Sequence, residues 1–292
     1  MKIIVTGSSG FVGTNFLRDS QEYQITEVDL LTQKIDEIDF SGIDSVLHLA
    51  ALAHQMSGAP EVDYFKINRD LAYEVAKKAK AHGVKHFVLM STAKVFGEST
   101  TGKPAWDENS ECNPIDAYGK SKYEAEKLIM SLQDESFRVA VVRSPLVYGV
   151  GVKANMYNLV KLVDHFPMLP FGGINNRRSL VYVGNLVALL AHIIKVRASG
   201  IFIAGDQSPL STTELVRLIA KSMNKRVHLI KIPKFLIQLI SVIKPAIVDR
   251  LFGSLELENS STNQKLAFVP PYPSEYGISE MVKWFKNKAV EV

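Results

Sequence analysis

The sequence predicts an α/β fold, a doubly wound parallel sheet with a smaller, mostly helical C-terminal domain. Three observations carry this reading. Short β-branched runs alternate with longer helix-period segments over the first 145 residues, the rhythm of a parallel sheet with crossover helices. The runs are apolar almost throughout, as strands covered on both faces must be. After Val147-Tyr148-Gly149 the texture changes to helical segments joined by loops bearing Pro and Gly. With 292 residues, 47% of them hydrophobic, the chain has room for about two domains and can bury its core without staples.

In chain order, strands are expected at Lys2–Thr6, Gln24–Asp29, Ser45–Ala50, Val84–Ser91 and Arg138–Arg143. Helices are expected at Phe11–Asp19, Val62–His82 and Tyr118–Gln133. Leu31–Phe40 should hold a further strand, although it is short, charged and poorly patterned. Beyond Gly149 the helical segments are 155–165 and 211–223. The strand–helix pair Ser179–Val183 and Asn185–Lys195 has the texture of the first domain. The sheet domain is therefore assigned residues 1–146 plus about 174–204, and the smaller domain about 147–173 plus 205–292.

Composition excludes several classes of function. The 34 basic and 30 acidic residues leave a net charge of only +4, without the single basic stripe of a nucleic-acid binder. Cys112 is the only cysteine, so no intrachain disulfide forms and a reducing, cytoplasmic setting is expected. Met1–Gly7 lacks a signal-peptide core. The uncharged stretch Phe235–Ile243 spans about 14 Å as a helix, far short of a bilayer, and reads as core or oligomer contact. No integral membrane segment is expected. The seven histidines show no ligand grouping, so no metal site is expected. The basic segment 217–250 reads either as a solvated helical face or as an electropositive surface for an anionic substrate or acidic lipid.

Thr6-Gly7-Ser8-Ser9-Gly10-Phe11-Val12-Gly13 follows the first strand and opens the first helix. In a Rossmann-type unit, one glycine permits the tight turn and another lets backbone approach a pyrophosphate. The last allows close helix–strand contact. The helix N-terminus presents N–H groups to the phosphates. That context makes Gly7, Ser9, Gly10, Phe11, Val12 and Gly13 candidate dinucleotide contacts. Asp29, 22 residues after Gly7, suits the adenosine ribose hydroxyls and would repel a 2′-phosphate. NAD is favoured, with NADP left open; the alternative is that Asp29 opens a turn.

Tyr118 and Lys122 are i and i+4 at the start of a helix, so they share a face. A phenol is a poor base at neutral pH. A neighbouring ammonium and a positive nicotinamide would stabilise the phenolate and lower its pKa. Thr92 lies 26 residues before Tyr118, at the carboxyl edge of the sheet where such folds bind ligands. Its hydroxyl can orient a substrate oxygen beside the phenol.

These residues resemble the extended short-chain dehydrogenase/reductase superfamily, in its nucleotide-sugar epimerase/dehydratase branch. The likeness rests on Thr6–Gly13, His48-Leu49-Ala50-Ala51, Asn68, Ser91–Gly97, Tyr118–Lys122, Arg143-Ser144-Pro145 with Val147-Tyr148-Gly149, and Arg178–Val183. It implies Thr92, Tyr118 and Lys122 as catalytic hydroxyl, acid/base and lysine, with Asn68 a structural or relay residue. It adds Leu49, Ala50, Ala51, Pro145, Tyr118 and Lys122 as cofactor contacts. It also implies that Asn155 and Arg178 contact a sugar-nucleotide diphosphate, with Arg250 as a second clamp. Planar guanidinium suits bidentate phosphate contacts.

The resemblance narrows the reaction as well. Family 4,6-dehydratases carry Asp-Glu directly after the catalytic threonine, where this chain has Ala93-Lys94. Two chemistries at C4 of a UDP-linked sugar remain. The short Leu31–Phe40 segment and a likeness to an O-antigen polysaccharide branch favour a UDP-4-keto-6-deoxy-hexosamine 4-reductase. A UDP-hexose or UDP-N-acetylhexosamine 4-epimerase is the alternative, and a non-catalytic dinucleotide sensor a remote one. Helices 62–82 and 118–133 are candidate faces for a homodimer.

Overall fold

The computed structural model describes residues 1–53, 59–233, 235, 242 and 245–290. Its centre is a six-stranded sheet in the order β2-β1-β3-β4-β5-β9, every pair parallel. The first five strands to enter it are β1 (Lys2–Thr6), β2 (Gln24–Val28), β3 (Ser45–His48), β4 (His86–Thr92) and β5 (Arg138–Ser144). Connecting them are α1 (Phe11–Asp19), a rod from α2 (Glu61–Tyr64) through a π segment (Phe65–Leu71) into α3 (Ala72–Ala81), and α4 (Ala117–Met130).

Period-2 geometry splits each strand between two cores. Ile3 and Val5 of β1, Val88 of β4 and Val142 of β5 face a cluster that includes Phe16 of α1. Ile4, Phe87, Leu89, Val139 and Val141 face the opposite cluster, with Ala72, Val75 and Ala76 of α3 and Ala125 and Ile129 of α4. Both faces are covered, which is why the inner strands read as continuous apolar runs.

The strand expected within Leu31–Phe40 is absent; a 3-10 turn, Ile35–Glu37, takes its place. Thr32 to Glu37 is polar except for Ile35, too little apolar surface for a doubly covered strand. Only Ile38 and Phe40 are buried there, against the α3 cluster. β2 is consequently an edge strand and the most exposed of the sheet.

Downstream lie β6 (Leu146–Tyr148), α5 (Ala154–His165), β7 (Met168–Gly172), β8 (Leu180–Tyr182), α6 (Val183–Val196) and β9 (Gly200–Ile203). Then follow α7 (Thr212–Ser222), β10 (His228–Lys231), α8 (Pro245–Phe252), α9 (Ser260–Leu266) and α10 (Ser274–Val290). The strand expected at Ser179–Val183 forms as β8, but it pairs with β6 in a separate ribbon. The large sheet takes its sixth strand from β9 instead. β7 and β10 form a further two-stranded sheet. A buried polar knot joins these parts: Tyr148 Oη donates to Asp206 Oδ2 at 2.7 Å, and Asn185 Nδ2 to Asp206 Oδ1 at 2.7 Å. Among the described residues no helix is long and apolar enough to cross a membrane, and no His/Cys/Asp/Glu group could hold a metal.

Candidate active site

Strand order reverses at β1, which has β2 on one side and β3 on the other, opening a crevice at their carboxyl ends. The glycine loop turns there. Gly7 has φ +69°, and a Cβ on it would lie 2.6 Å from Ala50 N. On Gly13 it would lie 2.5 Å from Gly7 O. Neither position admits a side chain. Gly10 caps α1 without a side-chain hydrogen bond, so the first helical N–H groups of Phe11 and Val12 face outward from a cradle that suits a pyrophosphate. Thr6 ties the two strand ends, its Oγ1 3.0 Å from His48 Nδ1 and accepting from Ala50 N at 3.3 Å. The segment Leu49–Ala51 thereby lines the crevice beside the loop. Asp29 stands one residue beyond Val28, the register partner of Thr6. Its Oδ1 accepts from Leu31 N at 2.9 Å, so it opens a turn at the carboxyl end of β2.

Thr92 ends β4, and Tyr118 opens α4 above it. Asp116 caps α4: Oδ1 accepts from Gly119 N at 2.7 Å, and Oδ2 accepts from Lys94 Nζ at 2.5 Å. Lys94 also donates to Glu98 at 2.8 Å. The two carboxylates hold this cation at the helix cap that precedes Tyr118. A Cβ on Gly119 would come within 2.8 Å of Lys94 O, so the glycine after the tyrosine lets α4 settle on that turn.

Tyr118 is hydrogen-bonded to Thr92, which pulls its pKa down, but burial, Asp116 and Tyr64 outweigh this and push it up to about 12. Lys122, 2% exposed, donates to Met90 O at 2.8 Å. Burial lowers its ammonium to about 8, with Glu126 opposing. The depression expected at Tyr118 requires the Lys122 ammonium and a positive nicotinamide together; the protein groups alone leave desolvation dominant.

One turn further, Glu126 accepts from Ser91 Oγ and pairs with Arg143 Nη2 at 2.8 Å. Arg143 also lies over the Phe96 ring at 4.7 Å. Residues 118, 122 and 126 thus present one face of α4 to the ends of β4 and β5. Asn68, in the π segment, is fully buried. It exchanges bonds with Leu52 at 2.8 and 3.1 Å and donates to Ser121 at 3.1 Å, joining the β3 loop to α4. The sequence reading missed Asp116, Gly119 and Glu126. The first had a signal as an N-cap before a helix, and Glu126 had one at i+4 from Lys122.

The expected diphosphate residues meet elsewhere. Asn155 and Arg178 line one cavity of about 340 Å3, whose walls include Met156, Leu159, Phe171 and Leu251. Arg178 Nη1 donates to Gly253 O at 3.0 Å, which holds it against α8. The Arg250 side chain lies outside the described residues, as do most positions of Phe235–Ile243. Arg177 pairs with Glu256 at 2.6 Å. Pro145 is buried after β5.

The description NAD dependent epimerase/dehydratase family matches residues 3–205, from β1 to just past β9. The chain belongs to that family. It is similar to UDP-glucose 4-epimerase of Vibrio cholerae, at 35% identity over 97% of this chain and 95% of that one. It is also similar to N-acetyl-alpha-D-glucosaminyl-diphospho-ditrans,octacis-undecaprenol 4-epimerase of Escherichia coli O157:H7, at 27% identity over 79% of this chain and 75% of the other. The crystal structure of UDP-glucuronic acid 4-epimerase from Bacillus cereus, in complex with NAD, superposes with a TM-score of 0.76 at 18% identity, covering 98% of this chain and 99% of that one. At that identity the likeness shows the fold alone. Ala93 is buried and Lys94 is held by Asp116 and Glu98, so neither offers a carboxylate for an elimination.

Proposed function

We propose that this chain is an NAD-dependent epimerase acting at C4 of a UDP-linked hexose or N-acetylhexosamine. The observation that carries the reading is the hydrogen-bonded Thr92–Tyr118 pair above the buried Lys122, in a chain 35% identical to UDP-glucose 4-epimerase over nearly its full length. Gly7, Ser9, Gly10, Phe11, Val12 and Gly13 would hold the pyrophosphate, and Asp29 the adenosine ribose. Leu49, Ala50, Ala51 and Pro145 would wall the crevice. When bound, the oxidised nicotinamide supplies the hydride acceptor and a positive charge. Thr92 positions the C4 oxygen and Tyr118 takes its proton, returning it after the 4-keto sugar has turned. Lys122 holds the nicotinamide ribose beside them. Asn155 and Arg178, with Arg250 as a second clamp, grip the diphosphate. The division into a dinucleotide-binding sheet domain and a nucleotide-sugar domain is part of this proposal.

One observation favours a second reading, a UDP-4-keto-6-deoxy-hexosamine 4-reductase. The connection between β2 and β3 contains a single 3-10 turn and no strand, so fewer elements wall the adenine side, which suits a cofactor exchanged at each turnover. The nucleotide content of freshly purified, acid-denatured protein separates the two. About one NAD retained per chain supports the epimerase. Protein that purifies without nucleotide, yet oxidises NADH or NADPH with a UDP-4-keto sugar, overturns it in favour of the reductase.

A further inference from the structure

Between Glu214 and Asp249 the sequence carries Arg217, Lys221, Lys225, Arg226, Lys231, Lys234 and Lys244 and no acid. α7 and the turn into β10 bring four of these, with His228, around a groove of about 370 Å3. Its floor is apolar, from Val216 to Leu229. The acids that reach it are Asp164, bonded to Lys225, and Glu214, held in the cap of α7 by Ser211. Arg217, Lys221 and Arg226 are exposed.

The β7–β10 sheet beside this groove is oriented by its burial pattern. Leu169 and Phe171 point into the core, which turns Met168 outward opposite His228. Met168 is 56% exposed, Ile230 48% and Phe166, just before β7, 53%. Phe235, four residues past β10, is 66% exposed. Single exposed apolar residues are ordinary, but Met168 and Ile230 belong to the small sheet whose His228 and Leu229 line the predominantly basic groove. A nucleic acid would neutralise the cations and leave Phe166, Met168 and Ile230 in water. A bilayer surface satisfies both chemistries at once.

We propose that this face rests on a membrane surface bearing anionic lipid, with headgroup phosphates at Arg217, Lys221 and Arg226 and with Phe166, Met168 and Ile230 at the acyl boundary. The attachment is peripheral and independent of which C4 reaction the enzyme performs.

Co-sedimentation of the full chain with phospholipid vesicles tests this. Vesicles of phosphatidylcholine with about a quarter phosphatidylglycerol, at about 0.1 M salt, should pellet the protein, and phosphatidylcholine alone should not. Each basic residue near an anionic surface contributes about fivefold to partition, so Lys221→Glu/Arg226→Glu should weaken it about 25-fold or more. Met168→Ser/Ile230→Ser should bind at low salt and lose the salt-resistant fraction. Melting temperature checks that both variants fold, and Lys221→Gln/Arg226→Gln replaces the first if it does not. Three results would overturn the proposal: no pelleting with anionic vesicles, equal pelleting of the wild type and the charge variant, or tighter binding to an oligonucleotide than to the vesicles. Self-association lost in Met168→Ser/Ile230→Ser, without vesicle binding, would assign the face to a second copy of the chain instead.

Discussion

The β4–α4–β5 unit and the α7–β10 segment use charge in opposite ways. In the first, Lys122 and Glu126 are 2% exposed and Arg143 is 3% exposed, each committed to a named partner. In the second, Arg217, Lys221, Arg226 and Lys231 are exposed and of one sign. Burying an ion costs several kcal/mol, which only tight pairing offsets. Buried charges are therefore retained where they fix geometry or titration, here beside Thr92 and Tyr118. Exposed charges cost little singly and act together as a field. The two regions should accordingly fail differently when mutated.

The largest effect is expected at the phenol. Tyr118→Phe should lose roughly 10³-fold in turnover while retaining nucleotide and melting temperature; near-normal rates would remove Tyr118 from the chemistry. Next comes the ion pair beneath it. Glu126→Ala leaves Arg143 buried without its carboxylate and should cost about 3–5 kcal/mol in urea unfolding. Adding Arg143→Met should recover much of that loss, and a loss under 1 kcal/mol, well below that expectation, would show the pair to be structurally idle.

Acid should destabilise the sheet half specifically. Burial lowers His48 to about 3 and His86 to about 4, so the unfolded chain binds more protons than the folded one between those values and about 6.5. Stability should therefore fall as pH drops through that window, by up to about 1.4 kcal/mol per pH unit for each histidine. Lys122, lowered to about 8, should add a second rise in stability between about pH 8 and its unfolded value near 10.4. A urea midpoint constant from pH 6.5 to 4 would contradict this account.

Smaller effects belong to the other region. Arg178→Ala should raise the KM for the sugar nucleotide about tenfold and leave kcat nearly intact; an unchanged KM would take Arg178 out of the diphosphate clamp. Lys221→Glu/Arg226→Glu should shift stability by less than about 0.5 kcal/mol without changing kcat. A larger change in either would dissolve the contrast between buried and exposed charge.

Legibility followed the same divide. β1, β3, β4 and β5 were readable because burial on both faces leaves a continuous apolar run, and α1 because the glycine loop marks its start. β9 and β10 match β3 in length, but β9 is only half buried and β10 has no buried residue, so double-sided burial does not mark them. The Leu31–Phe40 strand was expected from topology, against a segment whose composition already argued otherwise. Thr92, Tyr118 and Lys122 were legible as a local motif on adjacent elements. The partners that tune them were not, because Ser91–Glu126 and Lys94–Asp116 join residues 35 and 22 apart in sequence. Whether desolvation or an ammonium sets the Tyr118 pKa depends on how completely α4 covers the ring, which spacing does not encode.

The central claim, that Thr92, Tyr118 and Lys122 perform epimerisation at C4, is tested most directly by proton NMR. Purified protein would be incubated with UDP-glucose and with UDP-N-acetylglucosamine, with no reductant added. The account predicts that anomeric signals of the C4 epimer grow to equilibrium for at least one of them and are absent with Tyr118→Phe. Protein that carries NAD but leaves both sugars unchanged, or a Tyr118→Phe variant that equilibrates them as fast, would contradict it.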